Sequence, residues 1–270
     1  MTNLLDRYPL KAHEILHFPL MFPDSLKAYH APGVPYARLE ALYDFAGECG
    51  IPKGTVRTTL SRMKRDGLIT TTEESGVTRY RTAKLQLEAM TNFQKRKRYQ
   101  AKGFVLAVYS FEREQEKERT KTRELLEYFA FARFAQNSWI TVGIETGELE
   151  KSLADAGLKD HVFLFTVEKI DRETMTRLAA CWKIPERAAF LSEFLALLRD
   201  LLASPGDDRD AFNRIGVAWL VFVIHVHGTE PPLPRELFPK EYAYDDIVRL
   251  LRKTSLAYGS RMYRHWKKEN

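Results

Sequence analysis

The stretch Ile51-Pro-Lys-Gly-Thr-Val-Arg-Thr-Thr-Leu-Ser-Arg-Met-Lys-Arg-Asp-Gly-Leu-Ile69 decides how this chain is read. At 3.6 residues per turn, Val56, Leu60 and Met63 stack on one side of a helix at i, i+4, i+7. Thr55, Arg57, Thr58, Ser61, Arg62 and Arg65 fill the opposite arc. Apart from Asp66 at its end, that arc holds cations and small hydroxyls and no carboxylate. Arginine grips phosphates and guanine edges in a bidentate manner, and Ser and Thr bond either phosphate or base. A helix with an apolar back and this front can lie in a major groove; the plainer alternative is a solvated basic face.

The flanking residues favour the first reading. Tyr36 to Cys49 is expected to be helical, with Leu39, Leu42, Ala46 and Cys49 at helical spacing and Gly50 as its stop. Pro52 suits the first turn of the next helix. Beyond Gly67, Leu68–Thr72 and Val77–Thr82 read as strands joined by a turn over Glu73–Gly76. Alternation places Arg79 and Arg81 on one face of this hairpin. Helix, short turn, basic helix and hairpin together spell a winged helix-turn-helix. The candidate DNA contacts are Lys53, Thr55, Arg57, Thr58, Ser61, Arg62 and Arg65, with Arg79 and Arg81 on the wing. Some winged domains bind only protein, which is the competing reading.

Charge is distributed accordingly. Residues 1–102 hold 17 Lys+Arg against 10 Asp+Glu, a net +7, and the remainder holds 25 against 26, a net −1. The excess therefore lies with the proposed DNA-binding elements, as binding driven by counterion release requires. Cys49 and Cys181 sit in apolar helical patterns and read as small core residues of a reduced, cytoplasmic protein. Neither a signal peptide nor a membrane span is visible, and Val217–His225 is too short to cross a bilayer. A chain of 270 residues with 44% hydrophobic content suggests two or three domains.

The division expected is 1–102, 103–182 and 183–270. A polar connector helix over 83–100 ends in Lys95-Arg-Lys-Arg98, a solvated run or a phosphate contact. From Gly103 the order is strand (104–111), helix (116–133), a hairpin through Asn137-Ser138, helix (146–156), strand (162–167) and helix (172–182). That β-α-ββ-α-β order is ferredoxin-like. Helices over 188–202, 211–225 and 245–266 form a C-terminal helical domain, broken at Ser204–Asp208 and by Glu230-Pro-Pro-Leu-Pro234. The fold class is therefore α+β.

At this point the chain resembles a known family. Val56-Arg-Thr-Thr-Leu-Ser-Arg-Met-Lys-Arg-Asp-Gly-Leu68 is similar to the "VRTALSRLxRDGW" stretch of the phenylacetate-degradation repressors, the PaaX family. Trp139-Ile140 after a short hairpin resembles that family's central domain, and Leu233-Pro-Arg-Glu-Leu-Phe-Pro239 its "LPxELLP" signature. Leu68 stands where the family often has Trp, and His225–Glu230 lacks the usual Arg-rich stretch. The resemblance implies a dimeric bacterial repressor, released from a double-stranded operator by an aryl-CoA thioester such as phenylacetyl-CoA. It assigns no effector-binding residue.

Other chemistries find little in the sequence. His225 and His227, two apart, share no helix face and read as structural imidazoles rather than zinc ligands. The central domain also resembles the small metal-dependent nuclease of CRISPR adaptation systems. Such an enzyme needs a carboxylate at the end of its first strand to hold a divalent ion. Here that strand ends Tyr109-Ser-Phe-Glu112, with Ser110 in the critical place. No nucleophile elbow or P-loop is present, so neither catalysis nor a metal or cofactor is expected.

Overall fold

The computed structural model describes residues 2–25, 36–83, 103–142, 146–168, 171–233 and 235–270. It is an α+β chain with two antiparallel sheets, one of three strands and one of four. The connector and its Lys95–Arg98 run lie outside the described residues. Contacts group the chain into two units: residues 1–96 with 193–225 and 243–270, and residues 97–192 with 226–242. The sequence division at 102 and 182 follows chain order, whereas this grouping counts most of the C-terminal helices with the basic N-terminal segment.

In the first unit, α1 (Thr2–Arg7) and α2 (Ala12–Ser25) precede β1 (Ala37–Arg38), α3 (Leu39–Glu48), α4 (Lys53–Arg65), β2 (Ile69–Glu74) and β3 (Val77–Thr82). The helix expected from Tyr36 begins three residues later. Ala37 and Arg38 instead pair with Tyr80 and Arg79 as a short edge strand, giving the sheet order β1-β3-β2. Between β2 and β3, Ser75 and Gly76 both have positive φ, 54° and 74°. Two left-handed residues in succession make the tight turn whose twist matches flanking strands, and Gly supplies one of them without a Cβ clash.

Three further helices bear on this unit: α8 (Ile184–Leu202), α9 (Asp208–Val221) and α10 (Tyr244–Glu269). Asp207 caps α9 by accepting from the Asp210 N–H at 2.7 Å. The end of α9 widens into a π-helical turn over Phe222–His227, where the sequence pattern implies a continuous α-helix. Four rings from four helices join the unit together. Phe212 of α9 stacks on Trp266 of α10 at 5.7 Å, and lies 5.2 Å from Phe18 of α2 and 5.7 Å from Phe45 of α3. Two salt bridges reinforce the α9–α10 contact, both to the Asp208 carboxylate, from Arg261 at 3.0 Å and Arg264 at 2.9 Å. Hydrogen bonds from those two arginines hold the Asp208 carboxyl below its ordinary range.

The second unit contains β4 (Phe104–Tyr109), α5 (Glu116–Tyr128), β5 (Ala132–Ala135), β6 (Ser138–Val142), α6 (Gly147–Asp155), β7 (Val162–Val167) and α7 (Arg172–Ala179). The strand order is β5-β6-β4-β7, with every neighbouring pair antiparallel. Val105, Ala107 and Tyr109 of β4 pack with Trp139, Leu126, Leu149 and Leu153 in one apolar core. The other side of β4 and β7 is only partly covered. Phe163, Phe165 and Val167, on one face of edge strand β7, are 53%, 54% and 36% exposed. No helix among the described residues is long and apolar enough to cross a membrane. Both cysteines are free thiols, and burial together with Glu48 pushes the Cys49 thiol up to about 12.

The close approach of α9 to α2 depends on Gly216. A Cβ there would meet the Phe18 ring at 2.5 Å, whereas a Cβ at Gly259 of α10 meets nothing within 4 Å. Gly→Ala inside a helix ordinarily stabilises by about 1 kcal/mol. Overpacking against a ring held by Phe45 and Phe212 reverses the sign, at about 1–3 kcal/mol. Gly259→Ala is expected to raise the midpoint of thermal unfolding and Gly216→Ala to lower it, as differential scanning calorimetry will register.

Candidate nucleic-acid interface

Helix α4 is laid down by its apolar back. Val56, Leu60 and Met63 are 4% exposed or less, and Thr59 joins them at 4%. Pro52, extended at ψ 147°, starts the helix, and Asp66 follows its last turn. That last turn carries Arg62, Lys64 and Arg65, cations that complement the partial negative charge of a helix C-terminus. Burying the back leaves Lys53, Thr55, Arg57, Thr58, Ser61, Arg62 and Arg65 exposed, so the structure brings all seven helix candidates to the outward side of one element. Beside them runs a shallow groove bordered by Ala12, Pro52, Gly54, Thr55, Thr58 and Arg62.

The individual side chains differ in how they are held. Thr58 donates its hydroxyl to the Gly54 carbonyl at 3.0 Å, which leaves its oxygen free to accept. Arg65 pairs with the neighbouring Asp66 at 3.0 Å, an exposed contact of small energy. Arg62 has no ion-pair or hydrogen-bond partner among the described residues. Arg57 donates from Nε to the hydroxyl of Tyr43 on α3. The Tyr43 ring also lies 5.7 Å from the Arg57 guanidinium and 5.5 Å from Lys53 Nζ. Tyr43 drew no attention in the sequence, although its spacing from Leu39 places it on the inner side of α3.

The hairpin separates its two arginines. The Arg79 side chain is 11% exposed, with Nε 2.8 Å from the Glu74 carboxylate. It donates from Nη1 to the main-chain oxygen of Asn270 at 2.7 Å and lies 3.4 Å from that of Tyr36. Asn270 is itself buried and accepts at Oδ1 from the Arg38 N–H at 2.6 Å. Arg81 is half-buried; it donates to the Tyr36 hydroxyl at 2.6 Å, with the Tyr36 ring 4.9 Å from its guanidinium. Of the two wing candidates, then, Arg79 is engaged in holding the end of α10 against the sheet.

Elsewhere, Ser110 ends the first strand of the second unit with its N–H on the His161 carbonyl at 3.0 Å, and His161 stacks on Phe111 at 4.9 Å. His225 lies in the π-helical turn, its ring 5.9 Å from Tyr8 and its Nε2 3.3 Å from the Pro9 carbonyl. Among the described residues, no group of three or more His, Cys, Asp or Glu side chains comes together. One buried ion pair escaped the sequence reading. Arg187 meets Glu230 at 3.2 Å, and Tyr242 donates its hydroxyl to the same carboxylate at 3.1 Å. Burial, with Glu230 beside it, pushes the Tyr242 hydroxyl well above its ordinary range.

No protein-family model matches the chain, and no curated protein matches it. A solved structure does: the uncharacterized protein Rv0674 from Mycobacterium tuberculosis. It superimposes with a TM-score of 0.60 at 16% sequence identity, over 95% of this chain and 99% of that one. The two proteins share a fold.

The unequal settings of the wing arginines lead to a stability difference. Arg79→Ala removes a nearly buried donor and strands the Asn270 oxygen, a loss of about 1–3 kcal/mol. Arg81→Ala removes a half-buried group at smaller cost. Urea unfolding of the two variants is expected to give a clearly lower midpoint for Arg79→Ala; equal midpoints would show that Arg79 does not hold α10 to the sheet.

Proposed function

We propose that this protein is a DNA-binding transcription regulator, a ligand-responsive repressor of an aromatic-acid catabolic operon of the phenylacetate type. In this reading residues 1–102 hold a winged helix-turn-helix, residues 103–182 a ferredoxin-like domain, and residues 183–270 a helical domain. One observation carries the reading: the outward side of α4 presents Lys53, Arg57, Arg62 and Arg65 among small hydroxyls and without a carboxylate until Asp66. A groove-reading helix needs such a face. Support comes from the net +7 of residues 1–102 and from the two-stranded hairpin directly after α4. The resemblance of Val56–Leu68 to the PaaX repressors points the same way and supplies the aryl-CoA effector as an expectation. A regulator of this kind works in the cytoplasm, where the DNA is.

The homodimer belongs to the same reading. One α4 reads only a short half-site, and an inverted-repeat operator calls for two copies. The apolar face of β7 supports a second copy as its cover, because exposed rings on a sheet face are buried when two such faces pack together across a two-fold axis. Phe163→Glu with Phe165→Glu is then expected to convert the dimer to a monomer in light scattering at micromolar concentration.

DNA binding by fluorescence anisotropy tests the reading directly, with the DNA upstream of the protein's own gene as probe. Each arginine that contacts a base is worth about 1–3 kcal/mol, and each one that contacts a phosphate adds to the affinity for every sequence. Alanine at Arg57, Arg62 and Arg65 together is therefore expected to reduce affinity at least a hundredfold in a protein that still unfolds cooperatively. Unchanged affinity would dismiss α4 as the reading element. Phenylacetyl-CoA added to the wild-type complex is expected to release the DNA; a complex indifferent to it would leave DNA binding standing and remove that ligand.

A further inference from the structure

Lys53 and Arg57 stand four residues apart on α4, where two like charges ordinarily repel. Neither has a carboxylate partner among the described residues. What holds them is Tyr43, which is 8% exposed and fixed in α3. Its ring faces the Lys53 ammonium and the Arg57 guanidinium at 5.5 and 5.7 Å, so the ring quadrupole attracts both cations. Its hydroxyl accepts from Arg57 Nε. That single bond fixes the plane of the guanidinium yet leaves the four N–H groups of Nη1 and Nη2 for another acceptor. Burial holds the nearby Tyr80 hydroxyl above its ordinary range, with Tyr43 and Glu40 adding to this and Arg57 opposing it. Lys53 and Arg57 themselves remain exposed, so their free N–H groups are open to an incoming acceptor.

We propose that Tyr43 is a positioning residue that sets Lys53 and Arg57 as a clamp on one phosphate of the DNA backbone, leaving Arg62 to read a base. The proposal rests on the DNA-binding reading above. Two cations held on one ring, one of them with its fork preset, match the tetrahedral oxygens of a phosphate better than the edge of a single base. Arg62, with no ion-pair or hydrogen-bond partner among the described residues, keeps the freedom to follow a guanine edge. A phosphate clamp strengthens binding to every sequence alike, whereas a base reader discriminates.

The test is a salt series of anisotropy titrations with two duplexes of equal length, the DNA upstream of the gene and a scrambled version. The proteins are the wild type, Tyr43→Phe, Arg57→Ala and the double variant. Tyr43→Phe keeps the ring and its volume and removes only the acceptor, and its unfolding midpoint is recorded alongside. The expected result is a loss of roughly 2- to 10-fold on both duplexes. Arg57→Ala should lower the slope of log affinity against log salt by about one unit. In the Arg57→Ala background, Tyr43→Phe should then cost nothing more. Tyr43→Phe binding like the wild type, or costing as much without Arg57 as with it, overturns the positioning role. A loss confined to the upstream duplex overturns the phosphate assignment. A wild type that binds neither duplex brings down the DNA-binding reading itself, and the proposal with it.

Discussion

The face of α4 depends on a packing of rings that lies behind it. Phe18, Phe45, Phe212 and Trp266 come from four helices spread over most of the chain; Phe212 lies 5.2–5.7 Å from each of the other three, and Phe18 lies 5.5 Å from Phe45. Phe45 belongs to α3, the helix that also carries Tyr43. Helix α3 is therefore held on one side by an aromatic cluster, and on the other it presents the side chain that fixes Arg57. Rings of this size dominate core energetics and favour particular edge and stacked geometries, so the cluster sets orientation as well as stability. Gly216 makes the cluster possible by letting α9 approach Phe18.

A second connection runs from α10 to the hairpin. Asn270 accepts from the Arg38 N–H of β1 and from the Arg79 side chain of β3. Two strands of the short sheet thus hold the residue that follows α10. Arg79 shows how a residue suited by type and spacing to a phosphate contact can be recruited by the fold instead. On the strand it alternates onto the same face as Arg81, yet one guanidinium is claimed by a residue 191 positions away and the other by a nearby tyrosine.

Much of this was legible in the sequence, for identifiable reasons. Val56, Leu60 and Met63 repeat at helical spacing, and that period specifies both the helix and its outward arc. Ser75-Gly76 is a local signal, as two-residue hairpins are, and Val77–Thr82 was placed to the residue. Contacts remote in sequence left no such trace. Tyr43 beneath Arg57, Asn270 on Arg79, and Glu230 with Arg187 each depend on a partner that no window of neighbouring residues contains. Local competition hid other features. Tyr36-Ala-Arg38 continues the helical pattern of α3 but is drawn into β1 by pairing with Tyr80 and Arg79. Helix α2 includes Pro19, which ordinarily interrupts a helix.

The central claim is that α4 enters a major groove, once in each half of a two-fold arrangement. Hydroxyl-radical and methylation footprinting of the wild-type protein on the DNA upstream of its gene tests this most directly. The account predicts two protected major-groove segments related by a dyad, with centres about one helical turn or a small multiple of it apart. It also predicts that both fade together as salt is raised. No protection at low salt, or protection of the minor groove alone, would contradict it.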